Sequence, residues 1–311
     1  MTTLHVTNGS STAALIEAAG LPGRVISWAD SLYDGPVPDV PDDELIRIRA
    51  AYHAANPNRI DEVAADLAGW RAAVDDHEAY NELVLWYEHD LFDQLNLIHL
   101  LTWIGRHNAL HTPVTLISID SVPGRDNFMG LGQLTPAEIA SLYGARTHIG
   151  EAHVTTARKA WQAFRSDDPR AIEAILAADT TALPFLAAAL RRHLEEFPEE
   201  RSGLSRSERR LLELAGAGLT KESAWRRMHE GERAYYITDM SYEDRIRELT
   251  ASSPPLLSES FALTEEGRGV LEGRNDRVRL CGIDRWLGGV HLQGRGPVWR
   301  WSNALRSLRL G

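Results

Sequence analysis

Apolar residues recur along the first 134 positions in two alternating patterns, short runs typical of strands and longer helical segments. The runs TLHVTN, RVISW, NELVLWYEHD and TPVTLISID predict four strands, and segments with apolar residues three and four positions apart lie between them. Strands that alternate with helices at this spacing favour a mainly parallel sheet covered on both faces. Residues 1–134 therefore predict a Rossmann-like α/β domain.

The pattern changes twice further along the chain. Residues 135–200 are helical in periodicity throughout and begin with Thr135, Pro136 and Glu138, a good N-terminal capping signature. Residues 201–311 open with three short helical segments, then strand, turn, strand and LTEEGR, an order that resembles a winged helix. The end of the chain, GIDRWLGGVHLQGRGPVWRW, predicts two strands joined through residues 293–296. The fold class predicted is α/β, with a Rossmann-like mainly parallel sheet, a helical middle region and a winged-helix-like C-terminal domain that ends in a basic, Trp-rich hairpin.

The composition is that of an ordinary globular protein, with 311 residues of which 43% are hydrophobic and 25% charged. The single cysteine, Cys281, rules out an internal disulfide and favours a reducing compartment. The start MTTLHVTNG does not look like a signal peptide, and no apolar run is long enough to predict a membrane span. We therefore expect a cytoplasmic protein without a membrane partner.

Charge is unevenly distributed along the chain. Residues 1–199 contain 14 Lys and Arg against 28 Asp and Glu, whereas residues 200–311 contain 19 against 16. An acidic first part does not suit binding to a phosphate backbone, which needs clustered cations.

The basic C-terminal end is open to two interpretations. Arg285, Arg295 and Arg300 alternate with tryptophans, a mixture that can bind single-stranded nucleic acid. The same residues can instead attach the C-terminal part to the acidic half, which is the interpretation we favour. In that case Arg285 and His291 could complete a pocket from outside.

A turn of small polar residues follows the first predicted strand. Asn8, Gly9, Ser10 and Ser11 precede an alanine-rich helical segment, so free N–H groups and hydroxyls could hold a phosphate or carboxylate there. Gly9 could supply a positive φ and let a ligand approach closely. The alternative is a simple joint, in which Ser10 or Ser11 caps the helix.

Ionisable residues follow the other strands at the same predicted edge. Glu88, His89 and Asp90 come after the third strand and Asp30 after the second, and we expect them to provide acid–base groups. The carboxylates, Asp30 and Asp90 above all, could instead hold Mg²⁺ through oxygen ligands, together with Glu88 and Asp120.

Two more polar residues lie one turn into the helix that follows. Asp93 and Gln94 share a helix face with Asp90 and are expected to contact a ligand. The alternative is that Asp90 only caps this helix while the other groups face solvent.

Several function classes lack the residues they need. The chain has no G-x-S-x-G motif for a serine hydrolase, and its histidines are not spaced for zinc. The segment SYEDRIRELT, where a winged helix would read DNA, carries Glu243, Asp244 and Glu248, which would repel phosphates.

Four segments together resemble a known family. HVTNGSSTAALI, WADSLYDGPVP, LVLWYEHDLFDQLNLIHLL and GLGQLTPAEIA are similar to the bacterial family catalogued as domain of unknown function 1835, over about the first 150 residues. The family's motif often has aspartate where this chain has Ser10. The resemblance implies no activity.

The sequence favours an enzyme or binding protein for a small anionic metabolite, either a nucleotide or a phosphorylated compound, with hydrolase or transferase chemistry. The alternative is a regulatory protein that senses a ligand and binds nucleic acid or a protein partner through its C-terminal domain.

Overall fold

The computed structural model describes residues 2–107 and 109–311. Its central element is a five-stranded sheet in the order β2-β1-β3-β4-β5, parallel except for the short last strand. The strands are β1 (Thr3–Thr7), β2 (Arg24–Ser27), β3 (Glu82–Trp86), β4 (Val114–Ile117) and β5 (Thr147–His148). The predicted mainly parallel sheet is confirmed.

Helices cover both faces of this sheet because its strands are apolar on both sides. In β3, Leu83 and Leu85 join the main core, whereas Val84 and Trp86 join a second cluster on the opposite face. The helices that accompany the sheet are α1 (Ser10–Ala18), α2 (Asp42–His53), α3 (Ile60–Asp75), α4 (Leu91–Arg106) and α5 (Pro136–Gly144). Of these, α1 and α5 pack together against the second cluster.

The helical middle region is also present. It consists of α6 (Glu151–Arg165), α7 (Arg170–Ala177) and α8 (Leu186–Leu194). Gly105 of α4 lets α6 approach, since a Cβ there would lie 2.3 Å from Val154. The apolar helix α4 thus lies between the sheet and the middle region.

The C-terminal part differs from the prediction. Its elements are α9 (Arg206–Gly216), α10 (Lys221–Met228), α11 (Asp239–Ala251), α12 (Glu265–Leu271), α13 (Arg277–Cys281), β6 (Ile283–Leu287), β7 (Val290–Gly294), β8 (Trp299–Ser302) and β9 (Ser307–Leu310). Where the strand, turn and strand of a wing were predicted, Leu257 and Leu263 form one isolated antiparallel bridge, and LTEEGR begins a helix. The winged helix is therefore not confirmed.

The predicted C-terminal hairpin also turns elsewhere. β6 pairs with β7 through a turn at Gly288 and Gly289, and β8 pairs with β9, so that residues 295–298 connect two small antiparallel sheets. The hairpin turn predicted at residues 293–296 was wrong. Two consecutive glycines suit a tight hairpin turn better than the Gln-Gly-Arg-Gly sequence at which the turn was predicted.

One apolar core runs through the three predicted units. The main cluster includes Leu85 of the sheet, Phe164 of the middle region and Leu292 of the C-terminal part. Backbone hydrogen bonds join the units directly: the N–H of Leu91 donates to the carbonyl of Ala234 at 2.7 Å. None of the helices in the described part of the chain combines the length and apolar composition needed to span a bilayer.

Candidate functional site

A crevice opens where the chain leaves β1 and β3 in opposite directions. β1 has β2 on one side and β3 on the other, and β3 leads on to β4. Open α/β sheets bind ligands at such a switch point, outside the carboxyl ends of the strands. The residues that follow the two strands here are Asn8 and Glu88.

The amino end of α1 at this crevice is uncapped. Its N-cap residue, Gly9, makes no side-chain capping bond, and the first intrahelical bond runs from Ala13 N to the Gly9 carbonyl at 3.1 Å. The N–H groups of Ser10, Ser11 and Thr12 therefore find no acceptor among the described residues. The alternative of a serine-capped joint is not what the structure shows.

The role expected for Gly9 needs correction. Its φ of 161° and ψ of 177° describe an extended backbone that other residues also adopt, so the predicted positive φ in a turn was wrong. A Cβ at this position would have no heavy atom within 4 Å. Gly9 thus faces open space, which leaves room for a ligand beside the helix end.

A cleft of about 470 Å³ lies over this helix end. It is lined by Asn8, Gly9, Ser10, Ser11, Thr12, Glu88, Met129, Gly130, Gly132 and Gln133. The predicted cradle residues, Asn8 to Ser11, therefore form one wall of this open cleft. The other wall is formed by residues 129–133, which the sequence did not predict.

Glu88 connects the two walls. It is only 5% exposed, and its carboxyl Oε1 accepts a short hydrogen bond from the Leu131 N–H. A Cβ at Gly130 would lie 2.5 Å from Oε2, so this close approach requires glycine. The GLG sequence at residues 130–132 was the signal that could have located this wall.

A hydrogen-bonded network of carboxyl groups lies behind Glu88. Asp93 accepts from the Glu88 N–H at 2.8 Å and from Asn8 Nδ2 at 3.1 Å. Asp90 caps α4, since its Oδ1 accepts from the Asp93 N–H at 2.9 Å. Asp93 thereby fixes the end of β3 to the end of β1.

Burial raises the pKa of all three carboxyls. Burial raises the pKa of Glu88 well above its ordinary value, and the charges of Asp93 and Asp90 raise it further. Burial likewise raises the pKa of Asp90, with Asp93 adding to it, and raises that of Asp93 to about 6. Asp93 has the hydrogen-bond donors of an ionised carboxylate, whereas the environments of Glu88 and Asp90 favour the protonated form.

Gln94 and Asp93 lie beneath the cleft and do not line it. Gln94 Nε2 donates to the Glu88 carbonyl at 2.6 Å, and its buried Oε1 has no partner among the described residues. The structure therefore does not place Asp93 and Gln94 in contact with a ligand in the cleft. Both side chains instead hold the backbone of Glu88 in position.

His89 lies outside the cleft as well. Its Nδ1 is 3.3 Å from the Ile119 carbonyl oxygen, its Nε2 is 3.4 Å from the Tyr236 hydroxyl, and Phe128 and Phe185 flank its ring. Burial lowers the pKa of His89. A neutral histidine in aromatic surroundings fits a packing role, so the structure does not support the predicted acid–base role.

Asp30 belongs to a separate ion pair. Its carboxylate lies 2.6 Å from Arg49 Nη2 and 2.6 Å from His53 Nε2. Burial raises the pKa of Asp30, but the charges and hydrogen bonds of Arg49 and His53 together outweigh burial and hold the pKa well below its ordinary value. With both oxygens occupied in this way, Asp30 is not available for the predicted catalytic role.

The predicted magnesium seat is not formed. Asp30 is occupied by Arg49 and His53, Asp120 is exposed, and Asp90 caps α4. Within residues 2–107 and 109–311, no group of three or more His, Cys, Asp or Glu side chains is arranged to hold a metal ion.

Two of the three arginines predicted to contact nucleic acid are buried in ion pairs. Arg285 is buried and lies 2.7 Å from Glu208 and 2.8 Å from Glu248, and Arg300 is buried 3.0 Å from Asp276. Only Arg295 of the three predicted contacts is exposed. The partners of Arg285 and Arg300 lie in the C-terminal part itself, so these charges do not attach it to the acidic half.

Other contacts make that attachment. The Gly288 carbonyl accepts from Val37 N at 2.9 Å, Gly289 N donates to the Phe164 carbonyl at 3.0 Å, and Arg245 pairs with Asp34 at 3.1 Å. His291 pairs with Asp284 and does not line the cleft beside Asn8, so the predicted completion of the pocket by the tail is not observed.

Comparison with known proteins gave no match, either to a protein-family model or to a curated sequence. The resemblance to domain of unknown function 1835 therefore stays a prediction, and the case for a function depends on the geometry of the cleft.

Proposed function

We propose that the protein binds a small anionic metabolite, a nucleotide or another phosphorylated compound, in the cleft between residues 8–12 and residues 129–133. The observation that carries this proposal is the uncapped amino end of α1, which opens into a cleft at the switch point of a parallel sheet. Unpaired N–H groups at the positive end of a helix dipole are a standard site for a phosphate or carboxylate.

We further propose hydrolase or transferase chemistry at this site, with Glu88 as the acid. Glu88 lines the cleft, and burial next to Asp93 and Asp90 raises its pKa. A carboxyl group that keeps its proton can donate it to the oxygen of a leaving group. Asn8 and Asp93 would then act as positioning residues. Their hydrogen bond, with that from the Glu88 N–H to Asp93, fixes Glu88 relative to the amino end of α1.

A regulatory protein that binds nucleic acid is the weaker candidate. Arg285 and Arg300 are buried and paired, so Arg295 is the one exposed residue of the three predicted contacts. Phosphate-backbone binding depends on several accessible cations acting together.

The test compares two substitutions at Ser10, an exposed residue that begins α1. Asp at this position suits the helix dipole, which favours folding by about 0.3–1 kcal/mol, but its charge repels an anion from the same N–H groups. Ser10→Asn is the matched neutral control. We expect AMP, glucose 6-phosphate or coenzyme A to raise the melting temperature of the wild type and of Ser10→Asn, with binding at least about tenfold weaker in Ser10→Asp.

Two results would contradict the proposal. One is a folded wild-type protein whose melting temperature no compound of this panel changes. The other is equal affinity of Ser10→Asp and Ser10→Asn for the same compound, because the helix end would then not be where the anion binds.

A further inference from the structure

We propose that Asn8 is a site of self-modification, at which the backbone nitrogen of Gly9 attacks the Asn8 side-chain amide and releases ammonia. The product is a cyclic succinimide, which water opens to aspartate or isoaspartate. This inference goes beyond the proposed function and does not depend on a ligand in the cleft. Three features carry it: the Asn-Gly sequence, the position of the Thr7 hydroxyl group and the carboxyl groups beside the amide nitrogen.

Asn8 and Gly9 form the single Asn-Gly pair in the sequence. Attack of the following backbone nitrogen on an asparagine side chain closes a small ring, and glycine hinders this attack least because it has no Cβ. At Gly9 an added Cβ would meet no heavy atom within 4 Å, and both residues are partly exposed. The ring therefore has room to form, and water can reach it.

The Thr7 hydroxyl group connects the two reacting groups. Its Oγ1 accepts from the Gly9 N–H at 3.3 Å and donates to Asn8 Oδ1 at 3.2 Å. A second acceptor, the Gly9 carbonyl at 3.3 Å, already receives the N–H of Ala13. Thr7 is buried, so its side chain is held in this position. A hydroxyl group both accepts and donates, so it can pass a proton from the attacking nitrogen to the amide oxygen.

The leaving nitrogen lies against two acids. Asn8 Nδ2 donates to Asp93 Oδ2 at 3.1 Å, and the Glu88 carboxyl group also interacts with the Asn8 side chain. Burial raises the pKa of Asp93 to about 6 and raises that of Glu88 well above its ordinary value. The two carboxyl groups therefore share a proton near neutral pH, and they can give it to the departing nitrogen.

The bonds and protons balance with water as the other reactant. The bond from Gly9 N to Asn8 Cγ forms while the Gly9 proton passes to Thr7 and the Thr7 proton passes to Oδ1. The Cγ–Nδ2 bond then breaks, Nδ2 takes a carboxyl proton and leaves as ammonia, and Oδ1 returns its proton to solvent. The carboxylate regains a proton from solvent, and water finally opens the ring.

The product changes the cleft. A neutral amide in its wall becomes a carboxylate, and repulsion between two acids replaces the hydrogen bond from Nδ2 to Asp93. Loss of ammonia is irreversible, so the cleft gains negative charge as the protein ages. The reaction thus acts as a timer, and an anion bound beside Asn8 would lose affinity as the product accumulates.

The experiment follows conversion of Asn8 in the full chain by peptide mass spectrometry at about 37 °C and about pH 6.5. The same chain unfolded in guanidinium chloride gives the rate of this reaction without its neighbours. We expect Asn8 to convert at least about threefold faster in the folded chain, and Thr7→Val to slow the folded chain at least about tenfold, since it removes the hydroxyl group. Thr7→Ser keeps the hydroxyl and is the matched control. Asn303, which is exposed and precedes Ala304, is the internal reference and should stay intact.

The pH profile is a second readout. In the unfolded chain the rate rises with pH, because hydroxide removes the proton from the Gly9 nitrogen. In the folded chain we expect the rate to fall as the pH rises above about 6, because Asp93 and then Glu88 lose the proton that the leaving nitrogen needs.

Two results would overturn the inference. One is a folded chain that converts Asn8 no faster than the unfolded chain, and the other is a Thr7→Val variant that converts it at the wild-type rate. Should Thr7→Val fail to fold, the comparison of folded with unfolded wild type and the pH profile still decide the matter. Anion binding by freshly purified protein is measured separately, so failure here leaves the proposed function standing.

Discussion

Asp30 and Glu88 are equally buried carboxyl groups that follow two strands of the same sheet, yet their surroundings favour opposite charge states. Arg49 lies 2.6 Å from Asp30 and keeps it ionised. In the described part of the chain Glu88 has no cation beside it; burial and the neighbouring carboxyl groups of Asp93 and Asp90 raise its pKa and favour its proton. Burial alone raises the pKa of both, so the neighbouring charge decides which group is a structural anion and which is available as an acid.

At the same scale, His193 is expected to limit stability in acid. Both of its ring nitrogens are buried, between Phe164 and Phe197, and have no hydrogen-bond partner in residues 2–107 and 109–311. Burial lowers the pKa of His193 to about 4. The unfolded chain takes up this proton near pH 6.5, so stability falls as the pH drops from 6.5 to about 4. A shift of this size corresponds to about 3 kcal/mol.

The measurement is urea unfolding at pH 7 and at pH 4.5 for wild type, His193→Phe and the exposed control His148→Gln. We expect His193→Phe to lose less stability between the two pH values than the wild type does, while His148→Gln follows the wild type. Equal losses of stability in all three proteins would show that the pKa of His193 does not limit stability in acid.

At the scale of elements, α1 and α4 begin in similar places but have different amino ends. α4 is capped by the Asp90 side chain, and its Leu91 N–H donates to the Ala234 carbonyl. Within the part of the chain that the structure describes, α1 has neither kind of partner. Of the two helices that begin beside β1 and β3, only α1 thus offers N–H groups to a ligand.

The hairpin of β6 and β7 is one of the elements through which the C-terminal part docks. A Cβ on Gly289 would lie 1.9 Å from the Arg165 carbonyl oxygen, a backbone atom that cannot move aside. We expect Gly289→Ala to lower the free energy of unfolding by about 3 kcal/mol, at the upper end of ordinary substitutions.

Gly296→Ala is the matched control for this substitution. It lies in the same tail, where an added Cβ meets no atom within 4 Å, and its effect should stay within about 0.5 kcal/mol. Urea titration followed by circular dichroism measures both variants. A Gly289→Ala variant as stable as Gly296→Ala would mean that the hairpin does not dock as described.

At the scale of the whole molecule, the parts share one core and are joined by buried ion pairs. Arg192 lies 2.8 Å from Glu232, which links the middle region to the C-terminal part, and Arg245 lies 3.1 Å from Asp34 of the N-terminal part. Because these contacts are lost together, we expect one cooperative urea transition. Tryptophan fluorescence and circular dichroism should give the same midpoint, and two separated transitions would contradict a shared core.

The sequence predicted the parallel sheet and the wall Asn8–Ser11 because both depend on local signals. Strand periodicity and the residues after a strand can be read within about ten positions. The wall at Gly130 and Leu131 could not be predicted in this way. Leu131 and Glu88 are 43 positions apart, and Leu131 makes the contact with its backbone N–H, so no charged side chain marks it in the sequence.

Long-range pairing also explains the wrong expectations. Asp30 follows a strand as predicted, but its carboxylate is hydrogen-bonded to Arg49, 19 residues later in the chain. Arg285 forms an ion pair with Glu208, 77 residues earlier in the chain. In both cases the residue type was visible in the sequence, whereas the partner that changes its role depends on the tertiary fold.

The hydrogen bond from Leu91 to Ala234 also has a consequence for biosynthesis. A chain made from its N-terminus completes the sheet strands and α4 well before residue 234 is translated. During that interval the amino end of α4 lacks its backbone acceptor, and the nascent N-terminal part lacks the segment that covers His89. A product that stops short of residue 234 is therefore expected to expose apolar surface and to be a substrate for chaperones and proteases.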